Sequence, residues 1–128
     1  MNPVETCRAL GDPVRWRIVR LVAREALCVC ELADILGMPQ SSVSSHVQVI
    51  RRAGLLESEK CEKWTYFRVQ ASFLKLLRLL EPESGAADPA WAEDDLKTRD
   101  RLAVREGSCC PGPKHLSKSR RSTFSTPS

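Results

Sequence analysis

Residues 27–69 read LCVCELADILG (27–37), MPQSSVSSHVQVIRRAG (38–54) and LLESEKCEKWTYFRV (55–69), and the order of these three pieces decides the fold. In the first, Leu32, Ile35 and Leu36 form a short apolar stripe, and Gly37 can end a helix in the left-handed conformation. Met38 and Pro39 turn the chain. Gln40 to Ala53 then reads as a second helix stopped by Gly54, with Val43, Val47 and Ile50 on one face. At about 100° per residue, Ser41, Ser45, Gln48 and Arg52 fall on the opposite face, a row of hydrogen-bonding side chains ending in a cation. The third piece alternates apolar and polar residues on both sides of a polar centre, the pattern of a β-hairpin. Two tightly joined helices followed by a hairpin with Lys60 and Lys63 near its tip make the order of a winged helix-turn-helix.

Upstream, Asp12-Pro13 is a strong helix start, Asp capping and Pro favoured at the first helical position. Val14, Ile18, Leu21 and Val22 continue an amphipathic helix to about Arg24. Downstream, Phe73, Leu74, Leu76, Leu77 and Leu80 make a helix too apolar to stand exposed. Residues 82–89 read as a loop, and 90–106 as a charged helix anchored by Trp91, Leu96 and Val104. From Gly107 the chain is rich in Gly, Ser, Pro, Thr and basic residues and nearly devoid of large apolar side chains, so residues 107–128 are expected to be a disordered basic tail. The expected organisation is one mainly α domain over 1–106 with a two-stranded wing, followed by that tail.

A length of 128 residues suits one domain with a modest core. No apolar run is long enough to span a bilayer and no secretory signal opens the chain, so the sequence reads as soluble, cytoplasmic and without a membrane partner. The formal net charge of +4 is weak support for DNA binding. Residues 1–106 balance 16 basic against 16 acidic side chains, leaving the excess in Lys114, Lys118, Arg120 and Arg121. No nucleophile, base and orienting group stand at a recognisable catalytic spacing, which argues against an enzyme. The six cysteines, in a chain read as cytosolic, point to packing, metal binding or reactivity rather than a disulfide framework. Cys28 and Cys30 flank one residue, Cys109 and Cys110 are adjacent, and Cys7 and Cys61 stand alone. Cys7 is expected to be buried at an apolar helical position, and Cys61 exposed near the wing tip.

ALGDPVRWRIVRLV, then LCVCELADILGMPQSSVSSHVQVIRRAGLL, then KWTYFRV resemble, over about residues 3–80, the ArsR-SmtB family of metal-sensing bacterial repressors. LCVCEL is similar to the signature of its arsenical-responsive branch. The resemblance implies a homodimer, joined through its first helix and the helices after the wing, that binds an inverted-repeat operator. DNA contacts would come from Gln40, Ser41, Ser44 and Ser45, to which the helical wheel adds Gln48 and Arg52, with Lys60 and Lys63 from the wing. It also implies no permanent cofactor, with As(III) or Sb(III) bound as inducer by Cys28 and Cys30.

Soft ions prefer thiolate to carboxylate or imidazole, and a trivalent arsenical exchanges hydroxyl for sulfur. Residues two apart in a regular helix point about 200° away from each other, so binding by both thiols is expected to unwind the helix start. Members of the arsenical branch carry a further cysteine three positions on, where this chain has Ala33. Cys109 and Cys110 are the candidate replacements; two thiolates and a hydroxide are the alternative. Other readings are a cadmium- or lead-responsive repressor that adds Cys7 to the pair, a thiol redox sensor, and a winged-helix module that binds protein.

Overall fold

The computed structural model describes residues 2–80, 89–105 and 111–116, the side chains of 89–91 excepted. Two caps of the same kind organise its N-terminal end. Asn2 Oδ1 accepts from Val4 N–H and Glu5 N–H at the start of α1 (Pro3–Leu10), and Asp12 Oδ1 accepts from Val14 N–H at 2.8 Å and Arg15 N–H at 3.1 Å at the start of α2 (Pro13–Arg24). Each cap precedes a proline, which fills a helical position whose N–H has no partner in any case.

The thiol-bearing stretch opens as β1 (Leu27–Cys28) and turns directly into α3 (Val29–Leu36). Gly37 ends α3 at φ 66°, where its N–H and that of Met38 both donate to Ala33 O. The left-handed conformation permits this sharp stop. Then α4 (Gln40–Arg52) begins after Pro39 and buries Val43, Val47 and Ile50. The helix pair is thus the expected helix-turn-helix, and β2 (Leu56–Cys61) with β3 (Trp64–Val69) forms the hairpin that follows it. The chain continues as α5 (Ala71–Leu80) and α6 (Pro89–Ala103).

The hairpin carries a third strand. The sheet order is β1-β3-β2, all antiparallel, with Cys28 opposite Tyr66 and Tyr66 opposite Glu59. Side chains alternate between the two faces of a sheet. Leu27, Phe67, Leu56 and Val69 therefore enter the main core with Ile18, Val22, Leu32 and Ile50, while Cys28, Tyr66, Cys61, Trp64 and Glu59 share the outer face. That outer face is itself covered. Leu116 is buried in a second cluster with Ala26, Cys28, Cys61 and Tyr66.

Residues 111–116 thus depart from the expected disordered tail. Glu59 accepts the N–H groups of Lys114, His115 and Leu116, and Tyr66 Oη accepts that of Gly112 at 2.6 Å. The outer sheet face supplies the apolar surface that the tail lacks by itself. Residues 106–110 and 117–128 lie outside the described residues, and Cys109 and Cys110 with them.

Two of the three expected anchors of α6 do not hold it. Leu96 is 52 % and Val104 56 % exposed, and the Trp91 side chain lies outside the described residues. Leu102, packed against the main core, and a set of ion pairs attach α6: Arg17 grips Asp94 through two bonds, Arg24 meets Asp95 at 2.7 Å, and Arg101 meets Asp34 at 2.8 Å. No helix among the described residues is long and apolar enough to cross a membrane.

Candidate functional site

Cys28 occupies the cap position of α3, in extended conformation at φ −94° and ψ 171°, and is 1 % exposed. Cys30 lies in the first turn of the helix and is half-buried. The expected unwinding rested on both residues being helical, and that premise fails, because β1 pairing holds Cys28 outside the helix. Both residues instead line one cleft of about 290 Å³, with Val29, Gln48, Arg51, Lys63, Trp64 and Phe67 among its other walls. The two isolated cysteines also exchange their expected roles. Cys7 is exposed on α1, because Thr6 and Ala9 take the buried positions. Cys61 is 8 % exposed, because its register opposite Trp64 places it on the sheet face covered by Leu116.

Cys7 lines a different cleft, with Leu10, Gly11, Trp16 and Leu80, and is not brought to the Cys28–Cys30 pair. Among the described residues, no three His, Cys, Asp or Glu side chains are placed to hold a metal ion. What the cleft brings together is two thiols, a chemistry that soft ions prefer to carboxylate or imidazole.

The surroundings of the pair contain groups that sequence reasoning missed. Glu31, three residues after the cap, is fully buried, and its Oε1 accepts Cys28 N–H at 3.2 Å. Arg105 meets it with two bonds of 2.8 Å, Nε to Oε2 and Nη2 to Oε1, and also donates to Ala26 O at 2.9 Å. The guanidinium lies 5.4 Å from the centre of the Tyr66 ring. Burial works against the charge of Arg105, but the hydrogen bonds and charge of Glu31 outweigh it and raise its pKa. Glu31 gave a signal as the residue three after a helix cap. Its partner 74 positions away gave none.

The residues expected to read DNA lie on α4 and the hairpin. Gln40, Ser41, Ser45, Gln48 and Arg52 are exposed and Ser44 is half-buried. Ser45 Oγ donates back to Ser41 O at 3.1 Å, and Arg52 lines a shallow cleft with Glu5 and Arg8. Lys60 and Lys63 are exposed, the latter 5.2 Å from the centre of the Trp64 ring at the hairpin turn. Arg51, absent from the expected set, lines the thiol cleft and stacks 5.8 Å from the centre of the Phe67 ring.

A sequence profile described as "Bacterial regulatory protein, arsR family" matches residues 12–58. The HTH-type transcriptional regulator MJ1325 of Methanocaldococcus jannaschii is 33 % identical over 66 residues, spanning 51 % of this chain and 74 % of that protein. The arsenic resistance transcriptional regulator ArsR2 of Pseudomonas putida is 29 % identical over 114 residues, 86 % of this chain and 99 % of that protein. Among solved structures, a homodimeric winged helix-turn-helix DNA-binding domain from Mycobacterium bovis superposes with a TM-score of 0.58 at 24 % identity, covering 61 % of this chain and 73 % of the other.

Proposed function

Since the chain belongs to the arsR family of bacterial regulatory proteins, whose members are DNA-binding transcriptional regulators, we propose that it is a cytoplasmic repressor of an arsenic-resistance operon, released from DNA by As(III) or Sb(III) at Cys28 and Cys30. One observation carries this reading: the cleft lined by both cysteines is also walled by Gln48 and Arg51 of α4 and by Lys63 and Trp64 of the hairpin. An ion held there would press on both elements assigned to DNA.

Binding of arsenous acid would form two S–As bonds and break two As–O bonds. The two thiol protons leave with the departing hydroxyls as two waters, and one hydroxyl remains on arsenic. A third thiol from Cys109 or Cys110 would replace that last hydroxyl. Supporting this, the nearest described residues in sequence on either side of that pair are Arg105, which is bonded to Glu31, and 111–116, which lie on the outer sheet face that also carries Cys28.

The DNA-binding species in this proposal is a homodimer, as in the Mycobacterium bovis domain, on an inverted-repeat operator. Gln40, Ser41, Ser44, Ser45, Gln48 and Arg52 would read the major groove, and Lys60 and Lys63 would meet phosphate. The test is an operator-binding titration, on a duplex selected from a random pool, with arsenite, antimonite and cadmium added separately. Release of wild type by arsenite, lost in Cys28→Ser, is the expected result. Equal operator affinity of wild type with and without arsenite overturns the reading, and Cys109→Ser/Cys110→Ser decides whether the third thiol is needed.

A further inference from the structure

We infer that Arg105 is a positioning residue for the thiol pair, holding residues 27–30 from both ends; this rests on Cys28 and Cys30 being the ion ligands. Its Nη2 donates to Ala26 O at 2.9 Å, immediately before the segment, and also to Glu31 Oε1 at 2.8 Å, immediately after it. Nε takes the second oxygen of the same carboxylate at 2.8 Å. One planar group thus spans the four residues Leu27, Cys28, Val29 and Cys30. Glu31 passes the restraint inward, because the oxygen bound to Arg105 Nη2 also accepts Cys28 N–H.

The chemistry of the pair explains why a frame matters. Cys28 is extended and paired with Tyr66, whereas Cys30 is helical, so the backbone changes conformation between the two ligands. The pairing with β3 fixes Leu27 and Cys28 but not the turn from Cys28 into the helix that carries Cys30. Glu31 is fully buried and would not sit beside the pair without a counter-charge. The flat fork of Arg105 meets two carboxylate oxygens and a carbonyl at once; a lysine ammonium has the charge but not the fork. Tyr66, opposite Cys28 in the sheet, lies against the guanidinium at 5.4 Å and closes the frame from the strand side. Arg105 has no part in the surface assigned to DNA.

Groups that orient ligands from outside the ligand set typically change ion affinity by about 10- to 100-fold when removed. The experiment titrates arsenite into full-length wild type, Arg105→Gln and Arg105→Lys, following sulfur-to-arsenic absorbance in the ultraviolet, and measures duplex affinity without arsenite and thermal unfolding in parallel. The expected result is arsenite affinity weakened by about tenfold or more in both variants, with ion-free duplex affinity unchanged. A purely structural role would lower stability and duplex affinity together and leave the arsenite affinity of the folded fraction alone. If Arg105→Gln does not fold, Arg105→Lys, which keeps the charge beside Glu31, carries the test. Wild-type arsenite affinity in the folded variants overturns the inference and leaves the thiol site standing. Absence of arsenite binding by wild type overturns both.

Discussion

Glu59 in β2 accepts the backbone N–H of Leu116 at 2.9 Å, joining positions 57 residues apart, and the same carboxylate takes the N–H groups of Lys114 and His115 at 2.8 Å each. Three donors in succession favour the ionised acid. Burial opposes them, yet the pKa of Glu59 is lowered overall from the ordinary 4.5. A carboxyl depressed in the folded state stabilises the docked segment above its unfolded value, and the contribution is lost as pH falls through the folded value. Hydrogen exchange should show amides 114–116 protected at neutral pH and losing protection as pH falls through the folded value, which lies below the ordinary one. Glu59→Gln should expose them at neutral pH; unchanged protection in that variant would contradict the bonding described.

Asp12 works in the same sense at the start of α2. The Arg15 N–H bond is the leading cause of its lowered pKa, aided by Val14 N–H and opposed by burial. Asp12→Ala should lower stability at neutral pH by about 1 kcal/mol, as for other helix caps, measured by urea unfolding. The difference should shrink as pH falls through the folded pKa, which lies below the usual 3.8.

Leu32, fully buried between α3 and the main core, tests the packing of the helix-turn-helix. Leu32→Ala should cost about 2–5 kcal/mol, the range for removing a buried aliphatic side chain. A loss below 1 kcal/mol would place that side chain outside a tightly packed core.

For DNA, Lys63→Ala should weaken operator and unrelated duplex alike and reduce the salt slope by about one, as loss of one phosphate contact does. Gln48→Ala should instead cost about 1–3 kcal/mol on the operator alone. Binding isotherms at several salt concentrations separate the two. A uniform loss for Gln48→Ala would remove it from base reading.

What the sequence made legible was local. Asp12-Pro13, Gly37 and Gly54 mark helix ends through their own backbone chemistry, and the burial of Val43, Val47 and Ile50 follows from helical period alone. Asn2-Pro3 used the same capping grammar, but the helix after it is short and its apolar pattern weak. The failures were long-range. β1 is two residues paired with Tyr66 and Phe67 across the sheet, partners that the local sequence does not name. Cys61 is buried because a distant segment lies over it, and α6 stays attached in part through charges that composition reads as solvated. At the candidate site, the cysteine pair announced itself by spacing, whereas Arg105 is paired with Glu31 only once α6 has packed on α3.

The pairing of β1 with β3 has a mechanical consequence. Cys28, Tyr66 and Glu59 are successive rungs across the sheet, so the cysteine and the hairpin belong to one stiff ladder. A displacement of Cys28 reaches the hairpin through backbone hydrogen bonds, without first passing along α3 and the turn into α4. The hairpin is therefore a lever whose short arm is the cysteine strand, and it would tilt even if the helix pair stayed still.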